Sequence, residues 1–131
     1  MFKKTPAFCS FSTDDMEAAK KFYGGILGLE VNLDKEGLDV KLAGGAKLFI
    51  YQSRSKEFKP PEFTVLYFVV DDIEKAVDDL NNKGVEMEHY KGEFGTNEKG
   101  ILYNNGKFPG PKAAAWFKDP AGHILAVIKE K

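Results

Sequence analysis

Cysteine, basic excess and an apolar leader are what this chain most conspicuously lacks. The single Cys9 cannot close an internal disulfide, so the fold must stand on its core, as befits a reducing compartment. Met1–Pro6 carries two lysines but no apolar run suited to a signal peptide or a membrane span. A cytoplasmic protein with no membrane partner is therefore expected. Nineteen Lys and Arg against 20 Asp and Glu leave a net charge of −1 with no clustered basic patch. That argues against nucleic acid, whose phosphates need a concentrated positive face.

What is present is core material. Apolar residues make up 43% and aromatics 13% of 131 residues, enough for one compact domain and too much for disorder. Cys9 lies within an apolar stretch and is expected to be a buried structural thiol rather than a nucleophile.

The sequence also repeats itself. Asp14-Asp15-Met16-Glu17-x-Ala19, then Phe22-Tyr23 and Gly28-Leu29-Glu30-Val31, is echoed by Asp71-Asp72-Ile73-Glu74-x-Ala76, then Asp79-Leu80 and Gly84-Val85-Glu86-Met87. The offset is 57 residues through the helix and 56 at the following strand. Such a period means one supersecondary unit used twice.

The first unit reads as a strand at 6–12, then a helix from Thr13 or Asp14. Asp14 and Glu17 have capping-box spacing, and Gly24-Gly25 reads as the stop. Met16, Ala19, Phe22 or Tyr23, and Ile26 form the apolar face. Strands follow at 29–33, 38–42 and 47–52, separated by turn signals. The polar stretch 53–61 reads as a linker between a first module at 6–52 and a second at 63–130. The second begins with an apolar strand at 63–70, and Asp71 is expected to cap a helix bearing Ile73, Ala76, Val77 and Leu80. A strand at 85–89, a long glycine-rich loop at 91–111 with some strand around 101–103, and strands at 113–117 and 124–128 complete it. Each half is β-α-β-β-β, and the class is α+β.

Two βαβββ modules, Asp15 followed by Phe22-Tyr23 and Leu27-Gly28-Leu29, and the closing Trp116-Phe117-Lys118-Asp119-Pro120-Ala121-Gly122-His123 together resemble the vicinal oxygen chelate superfamily. This is the glyoxalase, bleomycin-resistance and extradiol-dioxygenase group. The resemblance covers nearly the whole chain. It implies curved mixed sheets forming a partly open barrel around a pocket, and a homodimer.

In that superfamily catalytic members hold a divalent metal through His, Gln or Glu in the first and last strand of each module. Those places fall here on Phe8, on Val65, on Ala126, and near Gln52. Phe, Val and Ala offer no lone pair to a cation. The resemblance therefore implies vacated ligand positions, no metal and no cofactor. His89 and His123 read as surface or turn residues, and Glu86 and Glu88 as a solvated strand face.

A cupped sheet can still hold a small molecule. If Phe8 and Val65 line it, alternation adds Ser10 and Tyr67; if Ala126 does, Ile124 shares its face. Gln52 and Trp116 are further candidates, with Trp116 ambiguous against Phe117. The loop 91–111 is either a lid or an ordinary excursion packed on the sheet. The expected function is metal-independent binding of a small molecule. The alternative is a metal-dependent lyase, isomerase or dioxygenase with displaced ligands.

Overall fold

The computed structural model describes residues 1–131, which divide into two compact units, Met1–Lys59 and Pro60–Lys131. Each unit is built on one four-stranded mixed sheet and one principal helical segment. No helix is long and apolar enough to cross a membrane.

In the first unit, β1 (Cys9–Thr13), α1 (Met16–Lys20), β2 (Glu30–Leu33), β3 (Leu38–Lys41) and β4 (Lys47–Gln52) follow in order. The strands are arranged β1-β4-β3-β2, with β1 parallel to β4 and the other pairs antiparallel. Alternation sends Leu38, Val40, Leu48 and Ile50 to one face, where all are buried together with Ala19, Phe22 and Tyr23. Each large apolar side chain so buried contributes roughly 1.5–3 kcal/mol.

The helical segment departs from its sequence reading at both ends. Asp15, not Asp14, is the N-cap, and its Oδ1 accepts from the Ala18 N–H at 3.1 Å. Gly24-Gly25 does not stop the chain either. The helix widens into a π-helical turn over Lys21–Ile26, with the Leu27 N–H donating to the Phe22 carbonyl at 2.9 Å. The wider turn carries both Phe22 and Tyr23 to the buried side. Gly24 has its own reason to be glycine, since a Cβ there would stand 2.8 Å from a Val31 methyl. The stop is Gly28, at φ +72. Cys9 is exposed rather than buried, because it opens an edge strand whose start is not covered by a helix.

The second unit contains β5 (Thr64–Val69), α2 (Ile73–Asn82), β6 (Ile101–Tyr103), β7 (Ala113–Lys118) and β8 (Ile124–Lys129), in the order β5-β8-β7-β6. Asp72, not Asp71, caps α2, accepting from the Lys75 N–H at 3.0 Å. Ile73, Val77 and Leu80 form its buried stripe. At its C-terminus, the Gly84 and Val85 N–H groups return to the Asn81 and Leu80 carbonyls, a Schellman arrangement around Gly84 at φ +87.

The strand expected at 85–89 does not form a ladder. Only Met87 bridges Phe117, and the Glu88 N–H donates to the Trp116 carbonyl at 2.8 Å. Further along the same edge of β7, Ile101–Tyr103 pairs with Ala115–Ala113. The edge strand is thus split by an excursion over 89–100. The chain re-enters the sheet at Gly100, where a Cβ would lie 2.8 Å from the Met87 Cβ and 3.1 Å from the Glu88 carbonyl oxygen.

The rest of the long loop is bolted by two asparagines. Asn97 Oδ1 accepts from the Lys99 and Ile101 N–H groups, both at 2.9 Å. The Asn104 amide donates to the Phe108 and Pro111 carbonyls at 2.8 and 3.2 Å. Phe94 and Phe108 meet edge to face at 5.0 Å, joining the two loops.

Candidate functional site

The second sheet brings Tyr67, Trp116, Ile124 and Ala126 to one face. In register, Tyr67 stands opposite Ala126, and Ala126 stands opposite Trp116, so the three form one row across β5, β8 and β7. Phe117, Leu125 and Val127 point the other way and are buried. The alternative between Trp116 and Phe117 resolves to Trp116 on the Tyr67 face. Ile124 joins that face opposite Lys118. Val65 is the extra residue of a β-bulge between Thr64 and Leu66, which leaves it without a ladder partner, and Thr64 takes the place opposite Ile124.

Exposure grades across the row. Tyr67 is 54% exposed, Trp116 is half-buried, and Ala126 is fully covered. The Tyr90 ring meets Trp116 edge-on, with centroids 5.6 Å apart and planes at 74°. Such geometry sets the positive ring edge of one partner on the negative face of the other. Burial holds the Tyr90 phenol above its ordinary range, the Glu88 carboxylate adds to this, and Lys118 opposes it. Lys118 and Glu88 pair at 3.4 Å beside it. The split edge strand that positions Tyr90 leaves no periodic signal that would set it against Trp116.

The first sheet presents a separate aromatic face. Phe8 lies just before β1 and Ser10 within it, directly opposite Phe49. Phe8 meets Phe49 edge to face at 6.3 Å, and Phe49 stacks on Tyr51 at 6.2 Å with planes 20° apart. The Phe49 ring lies over Gly37, where a Cβ would fall 2.7 Å from its tip. Lys47 stands 4.9 Å above the Phe8 ring and pairs with Asp39 at 3.1 Å. Phe49 and Tyr51 were not among the expected residues, although the alternation Lys47-x-Phe49-x-Tyr51 is the signal that finds them.

Gln52 is not on this face. It follows Leu48 and Ile50 in alternation, and its amide donates to the Asp14 carbonyl at 3.0 Å. It ties the strand end to the turn before α1.

The superfamily's metal does not fit the residues at these positions. Phe8, Val65 and Ala126 carry no donor atom, and Gln52 is turned away in its bond to Asp14. No group of three or more His, Cys, Asp or Glu side chains is placed to hold a metal ion. His123 has a structural setting instead. It is 1% exposed, with Nδ1 2.8 Å from Asp119 Oδ2, while Asp119 Oδ1 accepts from the Ala121 and His123 N–H groups. The turn is closed by this pair. His89 is exposed.

Comparison with known proteins agrees with this architecture. The chain has 27% identity to a glyoxalase family protein from Enterococcus faecalis, covering 98% of this chain and 99% of that one, with a TM-score of 0.69. TnmS3, an antibiotic binding protein from Streptomyces, matches at 21% identity over 98% of both chains, with a TM-score of 0.66. The fosfomycin resistance protein FosX from Listeria monocytogenes, solved with Mn(II) and 1S,2S-dihydroxypropylphosphonic acid, matches at 13% identity over 95% of this chain and 89% of that one, with a TM-score of 0.64. A search of the curated proteins returns no match. The sequence profile of one family covers residues 6–127, and the chain belongs to it: the Glyoxalase/Bleomycin resistance protein/Dioxygenase superfamily.

Proposed function

We propose that this protein binds a planar, ring-bearing small molecule without a metal, using the aromatic face of the second sheet. The observation that carries the reading is the row Tyr67–Ala126–Trp116, extended by Tyr90. Tyr67 and Trp116 are both partly open on either side of the covered Ala126, so a ligand ring has π-faces to stack against. Among proteins of this fold, the Streptomyces neighbour is an antibiotic binding protein and the Listeria neighbour was solved with Mn(II). Phe8, Val65 and Ala126 favour binding without a metal, since a metal-dependent lyase, isomerase or dioxygenase would need donors where these stand.

The same reading includes a cytoplasmic location and a homodimer. The single cysteine supports the compartment, and Phe8, Phe63 and Val69, exposed on or beside the edge strands β1 and β5, support self-association. Light scattering after size exclusion checks the dimer, which has twice the 14.6 kDa chain mass.

Trp116 is the only tryptophan, so its emission reports on the proposed site directly. Titration with a panel of planar aromatic antibiotics and dyes in EDTA is expected to give saturable quenching by at least one compound, weakened by Tyr67→Ala. Quenching by none, or an affinity indifferent to Tyr67→Ala, overturns the proposal.

A further inference from the structure

The turn at Asn105-Gly106 carries chemistry of its own, independent of the ligand reading. Both residues are exposed, and Gly106 sits at φ +81 with nothing within 4 Å of the place a Cβ would occupy. Neither the Asn105 side chain nor the Gly106 N–H makes a hydrogen bond. The preceding residue is the opposite case. Asn104 is held by its amide on Phe108 and Pro111 and by its Oδ1 on the Phe108 N–H. Asn97 is likewise locked by the Lys99 and Ile101 N–H groups.

We infer that Asn105 is a site of spontaneous deamidation. The Gly106 backbone nitrogen loses its proton and attacks Asn105 Cγ. The N–Cγ bond forms, the Cγ–Nδ2 bond breaks, and ammonia leaves with that proton, closing a five-membered imide. Water then opens the imide at one of two bonds. Cleavage between Cγ and nitrogen leaves an ordinary aspartate at this position. Cleavage between the main-chain carbonyl carbon and nitrogen gives isoaspartate, with the chain routed through the former side chain. No oxidant or cofactor enters the balance. Gly106 matters because a side chain on it would crowd the attacking nitrogen, and because its backbone is free to reach the required geometry.

The product has consequences for its surroundings. Each event adds one negative charge to a chain of net charge −1. Asn105 lines a cleft of about 500 Å³ together with Lys112 and Lys129, so the new charge arises beside two lysines. Isoaspartate further lengthens the main chain inside a loop closed by Asn104, Phe108 and Pro111. That lengthening acts against the Phe108 contact with Phe94.

Peptide mapping by mass spectrometry of the intact, folded protein, aged in mildly alkaline buffer, tests this. The peptide containing Asn105 is expected to acquire aspartate and isoaspartate at a rate within about tenfold of the same segment as a free peptide, reflecting an exposed loop tip. Asn104 and Asn97 should stay intact, Asn105→Gln should abolish the change, and the rate should rise with pH. A folded-protein rate far below the free peptide's, or conversion no faster at Asn105 than at Asn97, overturns the inference. Asn105→Asp supplies the aspartate product alone; an unchanged melting temperature in it, with a lowered one in isoaspartate-enriched protein, assigns the loop effect to the rerouted backbone.

Discussion

Asp15 and Asp72, 57 residues apart, are equivalent caps: each accepts a backbone hydrogen bond from three residues ahead, at 3.1 and 3.0 Å, and so starts the helix of its unit. Each is preceded by another aspartate, Asp14 and Asp71, that does not cap. The internal repeat therefore extends to the role of single side chains.

Asp15→Ala and Asp72→Ala should each cost about 1 kcal/mol, the usual worth of an N-cap. Asp14→Ala and Asp71→Ala should cost only the few tenths expected of a charge near a helix start. Urea unfolding of the four variants checks the assignment; equal losses within each pair contradict it.

The repeat, the element order and the alternation of the strands were legible because hydrophobic period and turn residues act locally. Tyr67 and Ala126 were read that way, while Trp116 and Phe117 could be told apart only by the ladder register. What was not legible depended on contacts between distant residues. Gly24-Gly25 looks like a stop but lies in a widened turn, where Gly24 makes room for Val31. Val85–His89 has a strand's composition, yet most of its edge is given up where the chain leaves at residue 89 and returns at Gly100. Gln52 was read by its chemistry, and only its bond to Asp14 shows which way it faces.

Tyr67→Ala should weaken binding of a stacking ligand by about 1 kcal/mol, near fivefold in Kd, with little change in melting temperature. Gln52→Ala should leave that affinity alone, since its amide serves the turn before α1. Paired Trp116 titrations distinguish the two.

Gly100→Ala should destabilise by about 1–3 kcal/mol, because it combines a left-handed φ of +83 with a Cβ pressed on Met87 and the Glu88 carbonyl. Faster amide exchange at Ile101 and Leu102, with α2 unaffected, would locate the damage in the split edge strand.

Asp119→Ala should be the costliest polar substitution, about 3 kcal/mol or more. It leaves the Ala121 and His123 N–H groups, and a buried imidazole nitrogen, without their acceptor. Chemical denaturation gives the value; a loss below that of an exposed carboxylate would remove the turn from the account.

The raised Tyr90 phenol predicts an alkaline limb. Its folded pKa lies above the ordinary 10.0, so the folded state retains the proton longer than the unfolded one. The associated stability is complete below pH 10.0 and is lost as pH rises through the folded value. Tyr90→Phe should flatten this part of a stability–pH curve, and an unchanged slope would show that Tyr90 does not carry it.

The central claim is that Phe8, Val65 and Ala126 leave the superfamily's metal positions without ligands. The most direct test is thermal melting of the metal-stripped, untagged protein with and without Mn²⁺, Ni²⁺, Zn²⁺ and Fe²⁺. A specific site saturated at about 100 times its dissociation constant would add about 2.7 kcal/mol, a shift of several degrees in a chain of this size. No metal-specific shift and no stoichiometric metal in the native protein are expected. A clear rise with one of these ions would contradict it.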